Sequence, residues 1–319
     1  MNTASATAAH PLASRIGPGP AADLRRGYLY GLIGVALFAL TIPMTRLASG
    51  SAGAPQLSPW FVAFGRAALA GVLAVLYLLA VRARWPSAAQ WRGLALTAAG
   101  VVFGFPLFMG LAVVRVDAVH ASVVTGVMPL ATAALGARLL KQRQRPVFWL
   151  LAWTGLALVV AFAWWRGGAG LRFADALLAL ALLLGAMGYV SGARLSTTMR
   201  PEHVISWVLV LALPITLPAS WSTWPHAPVA PAPWLGFAYV SLFSMWLGFF
   251  AWYRALALGG TVRISQVQLL QPFLSILAAV PILGETIDAA TCLFLLAVMG
   301  VVFASRRVTP PAPIKGNHP

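Results

Sequence analysis

The 319-residue chain is 60% hydrophobic and only 9% charged, with a formal net charge of +16. A soluble protein carries about 25% charged residues, so this chain cannot cover a water-facing globule and its solvent is the lipid bilayer. Its basic residues stand singly or in small groups between apolar runs, which excludes a continuous nucleic-acid-binding face.

Residues 1–26 read as a disordered cytoplasmic N-terminus. The first 22 are rich in Ala and Pro and lack the apolar core of a signal peptide. Ten apolar runs follow, at 27–48, 60–81, 93–114, 118–140, 147–165, 173–195, 203–221, 234–257, 263–283 and 289–305. Crossing a bilayer takes about 20 residues, and backbone polar groups in lipid must be satisfied within the segment, so each run is read as a helix. Residues 306–319 contain Pro310, Pro311 and Pro313 and read as a short cytoplasmic tail. The expected fold is all-α integral membrane, with ten transmembrane helices.

Charge sets the orientation. With the N-terminus in the cytoplasm, Arg25, Arg26, Arg82, Arg84, Arg92, Arg138, Lys141, Arg143, Arg145, Arg194, Arg200, Arg254, Arg263, Arg306 and Arg307 fall inside. Only Arg46, Arg115, Arg166 and Arg172 fall outside. That asymmetry follows the positive-inside rule and predicts a multi-pass protein of a bacterial inner (plasma) membrane with both termini cytoplasmic. Trp60, Trp85, Trp164, Trp165, Trp221 and Trp234 stand at span ends, where indole rings prefer the interface. The single cysteine, Cys292, excludes a disulfide framework and a cysteine-built metal site.

The two halves, 27–165 and 166–305, resemble each other. With Pro129 of the fourth span set on Pro272 of the ninth, Ser122 meets Ser265, Thr125 meets Gln268 and Leu140 meets Leu283. Arg46-Leu47 of the first span likewise has a counterpart in Arg194-Leu195 of the sixth. Each half would hold five helices, an odd number, so the second half enters the membrane from the opposite side. Two inverted five-helix repeats are typical of secondary transporters, whose substrate site lies near the midplane between them.

Further motifs carry a family resemblance. Tyr253-Arg254-Ala255-Leu256, Gln271-Pro272, Leu283-Gly284-Glu285, a last span closing in Gly300-Val301, and the arginine-led Arg66-Ala67-Ala68-Leu69 appear in order. Together with the ten spans they resemble the drug/metabolite transporter superfamily, EamA type, over roughly residues 27–306. Where the first half would match Glu285 the chain has Gln142. The resemblance implies an exporter or exchanger of amino acids or other small metabolites, with a structural place for Glu285.

Several residues are candidates for the substrate site. Proline lacks an N–H, so Pro129 and Pro272 should free the carbonyls of Thr125 and Gln268. An unpaired carbonyl near the midplane needs a polar neighbour, water or ligand; the alternative is a plain kink with local repair. Ser265, Gln268, Gln271 and Ser275 recur at a spacing of three or four and share one helical face, lining a cavity or joining helices. Trp246, Phe249, Phe250 and Tyr253 are assigned to one side of the eighth span, as a pocket wall or as packing. Arg66 lies about 9 Å into the second span at 1.5 Å per residue, where it either snorkels outward or meets an anion in the cavity. His120 is an interfacial histidine or a proton carrier. Gly100/Gly104 and Gly188/Gly192 have the spacing that lets helices approach closely.

No Asp or Glu lies well inside a predicted span, and the five histidines are scattered. A membrane enzyme would need paired acids, a His cluster or an activated nucleophile. A non-transporting scaffold would need a large loop to present. The expectation is a secondary transporter of a neutral, zwitterionic or aromatic metabolite, with no cofactor and no metal. Its partners would be the small-molecule substrate and the lipid bilayer, with a homodimer allowed and nucleic acid excluded.

Overall fold

The computed structural model describes residues 20–139, 145–166, 168, 170–259 and 264–308. Residues 1–19 of the expected N-terminal tail 1–26, residues 309–319 of the expected tail 306–319, the pairing of Leu140 with Leu283, and Gln142 with its basic neighbours lie outside the described residues.

All described regular elements are helical. Eight helices are long and apolar enough to cross a membrane: α1 (Asp23–Ser49), α2 (Pro59–Ala80), α3 (Ala88–Val113), α4 (Ala118–Leu139), α5 (Pro146–Arg166), α6 (Phe173–Leu195), α7 (Pro201–Ser222) and α8 (Pro231–Leu258). Two further apolar helices, α9 (Val267–Leu283) and α10 (Ala289–Ser305), are shorter. Helical structure begins at Pro20, ahead of the expected 27. Proline is well suited to a first helical position, and Asp23 in that first turn favours the positive end of the helix dipole. Ser58 caps α2 by accepting from the Phe61 N–H at 3.0 Å, with Pro59 following it.

Five of the described helices are irregular, and each irregular segment contributes residues to one central region. α1 turns at Leu40, between Pro20–Ala39 and Thr41–Ser49. α4 breaks at Gly126 and Val127, just before Pro129. α3 carries a π-helical stretch at Ala98–Gly104, and α8 another at Val240–Leu247. α9 is entered through a 3₁₀ segment, Ser265–Leu270, ahead of Pro272. Such departures concentrate at functional sites because they re-aim side chains that an unbroken helix would hold elsewhere.

The principal pairings are α2 with α7, α1 with α8, α3 with α6, α4 with α9, and α5 with α10; α6 also meets α4, and α1 meets α9. Glycines permit the tightest of these. A Cβ built on Gly100 would sit 2.6 Å from the Gly188 Cα, and one on Gly104 would sit 2.7 Å from the Leu184 side chain. α3 and α6 therefore touch backbone to backbone, as the small-residue spacing predicts. Outward faces are apolar, for example Leu150, Trp153, Leu156 and Val160 on α5, as a lipid-facing surface requires.

At one end of the bundle the short turns are tied by polar contacts. Glu285, in the turn between α9 and α10, accepts from the Ala118 and Val119 N–H groups at 2.8 Å each and so caps α4. Burial pushes its carboxyl above the ordinary range, and the two backbone donors pull it back. Gly284 makes that turn with φ +67°, in the left-handed region that glycine enters freely. Arg46 donates to the Val113 carbonyl, and Arg166 meets Asp288 at 2.9 Å.

Candidate functional site

A cavity opens where the irregular segments converge. It is walled by Phe38, Thr41 and Ile42 of α1, Arg66 of α2, Val101, Phe105 and Pro106 of α3, and Ser122, Thr125, Gly126, Met128 and Pro129 of α4. α6 adds Gly185 and Tyr189, α8 adds Ser244, Met245 and Phe249, and the α9 segment adds Gln268, Gln271, Pro272 and Ser275. Its volume is about 50 Å³, room for a few water molecules and too little for an organic metabolite. A substrate of that kind enters only if the helices part.

The floor of the cavity is the crossing of α4 and α9. The α4 break lies against Pro272: a Cβ on Gly126 would be 3.6 Å from its ring. Ser122 Oγ lies 3.1 Å from Ser275 Oγ, and the Ser275 hydroxyl donates to the Ala39 carbonyl at 2.7 Å. Ala39 stands four residues before Pro43, which has no N–H to offer it. A side chain from α9 therefore completes the backbone of α1.

The expected freeing of the Gln268 carbonyl does not occur. Because the chain runs as 3₁₀ helix through Leu270, the Gln271 N–H reaches that carbonyl and satisfies it. Gln268 meets the cavity through its side chain, which is buried. The Thr125 hydroxyl donates to its own helix, to the Ala121 carbonyl at 2.8 Å.

Arg66 does not snorkel. Only 3% of it is exposed, and its Nη2 donates to Ser244 Oγ at 2.8 Å, which lies 2.8 Å from Thr41 Oγ1. This small network exists because α1 turns at Leu40 and α8 takes its π-helical stretch, bringing Thr41 and Ser244 to the same point. Arg66 Nε and Gln271 Oε1 are both buried and have no hydrogen-bond partner among the described residues.

The structure places Trp246, Tyr253 and His120 away from this cavity. Trp246 Nε1 donates to Ser206 Oγ of α7 at 3.1 Å, and its ring meets Tyr77 and Phe250 edge-on. Tyr253 is fully buried, packed against Phe249, with its hydroxyl facing Gly192 of α6. Of the aromatics assigned to one side of the eighth span, only Phe249 lines the cavity. His120 is buried and pairs with Asp175 of α6, Nε2 to Oδ1 at 2.7 Å, beneath the Phe162 ring. The Ser265 side chain lies outside the described residues. Thr41, Ser244 and Tyr189 are cavity residues that the sequence reading missed. Among the described residues no three His, Cys, Asp or Glu side chains gather where a metal could sit.

Comparison with known proteins gives three findings. The sequence pattern of the EamA-like transporter family matches twice, over residues 25–165 and again over 172–306. The chain is 42% identical over 283 residues to "Uncharacterized transporter YdeK" of Bacillus subtilis (strain 168), covering 88% of this chain and 97% of that one. A solved crystal structure superposes with a TM-score of 0.59 at 19% identity, over 88% of this chain and 98% of the other; it speaks to the fold alone.

Proposed function

Because the chain belongs to the EamA-like transporter family, we propose that it is a secondary transporter moving a small organic metabolite by alternating access, as an exporter or exchanger. Family membership makes it a multi-pass membrane transporter of the drug/metabolite type and not an enzyme. The substrate class and the mechanism are the proposal.

The observation that carries it is the position of the cavity. It lies where the broken α1, α4 and α9 and the π-helical α3 and α8 meet, with Arg66, Thr125, Gln268 and Gln271 on its wall. Discontinuous helices at a buried polar centre are how transporters present backbone and side-chain polar groups to a substrate.

We further propose that residues 27–165 and 166–305 form two inverted five-helix repeats. Shifting every helix number by five maps the main pairings onto themselves: α2–α7, α4–α9 and α5–α10 are kept, α1–α8 exchanges with α3–α6, and α4–α6 exchanges with α1–α9. The π-helical stretches of α3 and α8, and the proline-linked breaks of α4 and α9, are equivalent under the same shift. The family pattern matching each half by itself also supports this reading. Two bundles related in this way can rock about a shared site. The arginine asymmetry supports a bacterial plasma membrane with both termini in the cytoplasm.

Liposomes test the transport reading. Purified protein, reconstituted and challenged with a panel of labelled amino acids and other neutral or zwitterionic metabolites, should catalyse saturable exchange of at least one. Absence of exchange across the whole panel, with protein shown to be folded and correctly inserted, would defeat it.

A further inference from the structure

We propose that Arg66 is an anion subsite, and that substrates of this protein carry one carboxylate, which becomes the counter-ion that the protein itself withholds from Arg66. The inference rests on the reading of the cavity as the substrate site and adds the chemistry of what enters.

Arg66 lines the cavity, is 3% exposed, and carries a guanidinium cation. A buried cation is stable only with a partner. The cavity wall contains no Asp, Glu or other anion. The hydrogen bond that Arg66 makes there goes to a neutral hydroxyl, Ser244 Oγ, and its Nε–H has no acceptor among the described residues. The neighbouring Thr41 hydroxyl turns to Ser244 rather than to the guanidinium. One N–H of the planar guanidinium, at Nε, therefore stands ready for an acceptor, and a carboxylate matches the guanidinium in charge and shape.

The charge count selects a monoanion. Arg66 is the single ionisable cation among the residues of the wall, with no Lys, His or second Arg beside it. A phosphate dianion would bring one negative charge too many into the same small volume. The opposite need is met by Gln271, whose buried Oε1 has no donor, and by the buried Gln268 side chain. An N–H group on the same molecule can bind there without a protein carboxylate. The wall therefore accepts a carboxylate alone or a zwitterion, and rejects an amine that lacks a carboxylate, since nothing would neutralise it.

The test uses trifluoroacetate as probe, a small monocarboxylate followed by fluorine NMR on purified full-length protein in detergent. Chloride is held constant to occupy the basic surface. Trifluoroacetate should bind saturably and be displaced by acetate and glycine, but not by acetamide or methylammonium. Arg66→Gln should weaken it about tenfold or more, and Arg66→Lys less, because charge is kept and the fork is lost. Displacement by acetamide as effective as by acetate, or unchanged binding to Arg66→Gln, overturns the subsite. If Arg66→Gln does not fold, Ser244→Ala decides: releasing the Nη2 hydrogen should tighten trifluoroacetate binding, and equal loss of binding with acetate and acetamide overturns the proposal. Binding without any exchange in liposomes would defeat the transport reading and leave the subsite standing. Exchange of substrates with no carboxylate preference and no dependence on Arg66 would do the reverse.

Discussion

Ser275 on α9 donates its hydroxyl to the Ala39 carbonyl on α1 at 2.7 Å, and Pro43 is the reason that carbonyl is available. The two residues lie in different halves of the chain, so the turn in α1 is held open by a helix from the other half. Loss of this bond leaves a buried carbonyl without its partner, which costs about 1–3 kcal/mol. Ser275→Ala should therefore lower thermal stability in detergent. Restoring the missing donor with Pro43→Ala in the same chain should recover part of that loss, a coupling that a double-mutant cycle measures. Strictly additive losses would mean that the bond does not matter.

The all-helical membrane fold was legible in the sequence, and what the sequence did not give away has physical causes. Pro129 and Pro272 stood out because the proposed repeat pairs them. Pro43 did not: the pairing of Arg46 with Arg194 puts Ser191 opposite it, and Ser191 bonds instead to Thr97 at 2.7 Å. The aromatic side assigned to the eighth span assumed a constant α-helical turn. The π-helical stretch Val240–Leu247 changes the angular step between Trp246 and Phe249, so Phe249 reaches the cavity while Trp246 turns to α7; Tyr253, one regular turn beyond Phe249, packs toward α6. The same stretch brings Ser244 to Arg66. Tertiary packing sets such a bulge, and no local residue pattern announces it.

The His120–Asp175 pair joins α4 to α6 outside the cavity, and Asp175 Oδ2 also accepts from the Arg172 N–H at 2.8 Å. Asp175 therefore serves two bonds and His120 one. Asp175→Ala should destabilise by about 1–3 kcal/mol, and by more than His120→Phe, in thermal denaturation. Because the pair does not line the cavity, exchange in liposomes should persist when the pH gradient is collapsed. If collapse stops every mode of exchange, and His120→Phe then removes the remaining pH sensitivity, the pair carries protons after all.

Orientation can be read with thiol chemistry. Cys292 is exposed and must first be replaced by serine. Single cysteines at Gly168 and Ala230, both exposed, should then react with a membrane-impermeant maleimide in intact spheroplasts. A cysteine at Thr197, exposed at the opposite end of α6, should react only after lysis. Labelling of Thr197→Cys in sealed cells would invert the topology inferred from the arginines.

Gln268 is the residue on which the site reading depends most. It sits on the 3₁₀ entry to α9, its side chain is buried against the cavity, and its backbone carbonyl is already satisfied by the Gln271 N–H. A substitution there removes side-chain chemistry and leaves the helix start intact. Gln268→Leu keeps approximate volume and discards both donor and acceptor. Substrate binding should weaken by about 1–3 kcal/mol, the cost of an unmatched polar partner. Thermal stability should change little, since single polar contacts between membrane helices contribute about 0.6 kcal/mol on average. Thr125→Val should give a smaller loss, because that hydroxyl already serves the Ala121 carbonyl. Ser275→Ala gives the opposite pattern, lowering stability more than affinity. Measuring both quantities for each of the three variants separates cavity residues from helix-joining ones. A Gln268→Leu protein that melts early yet binds substrate as tightly as the parent would move Gln268 into the second group and shift the search to Arg66, Gln271 and Thr125 on the same wall.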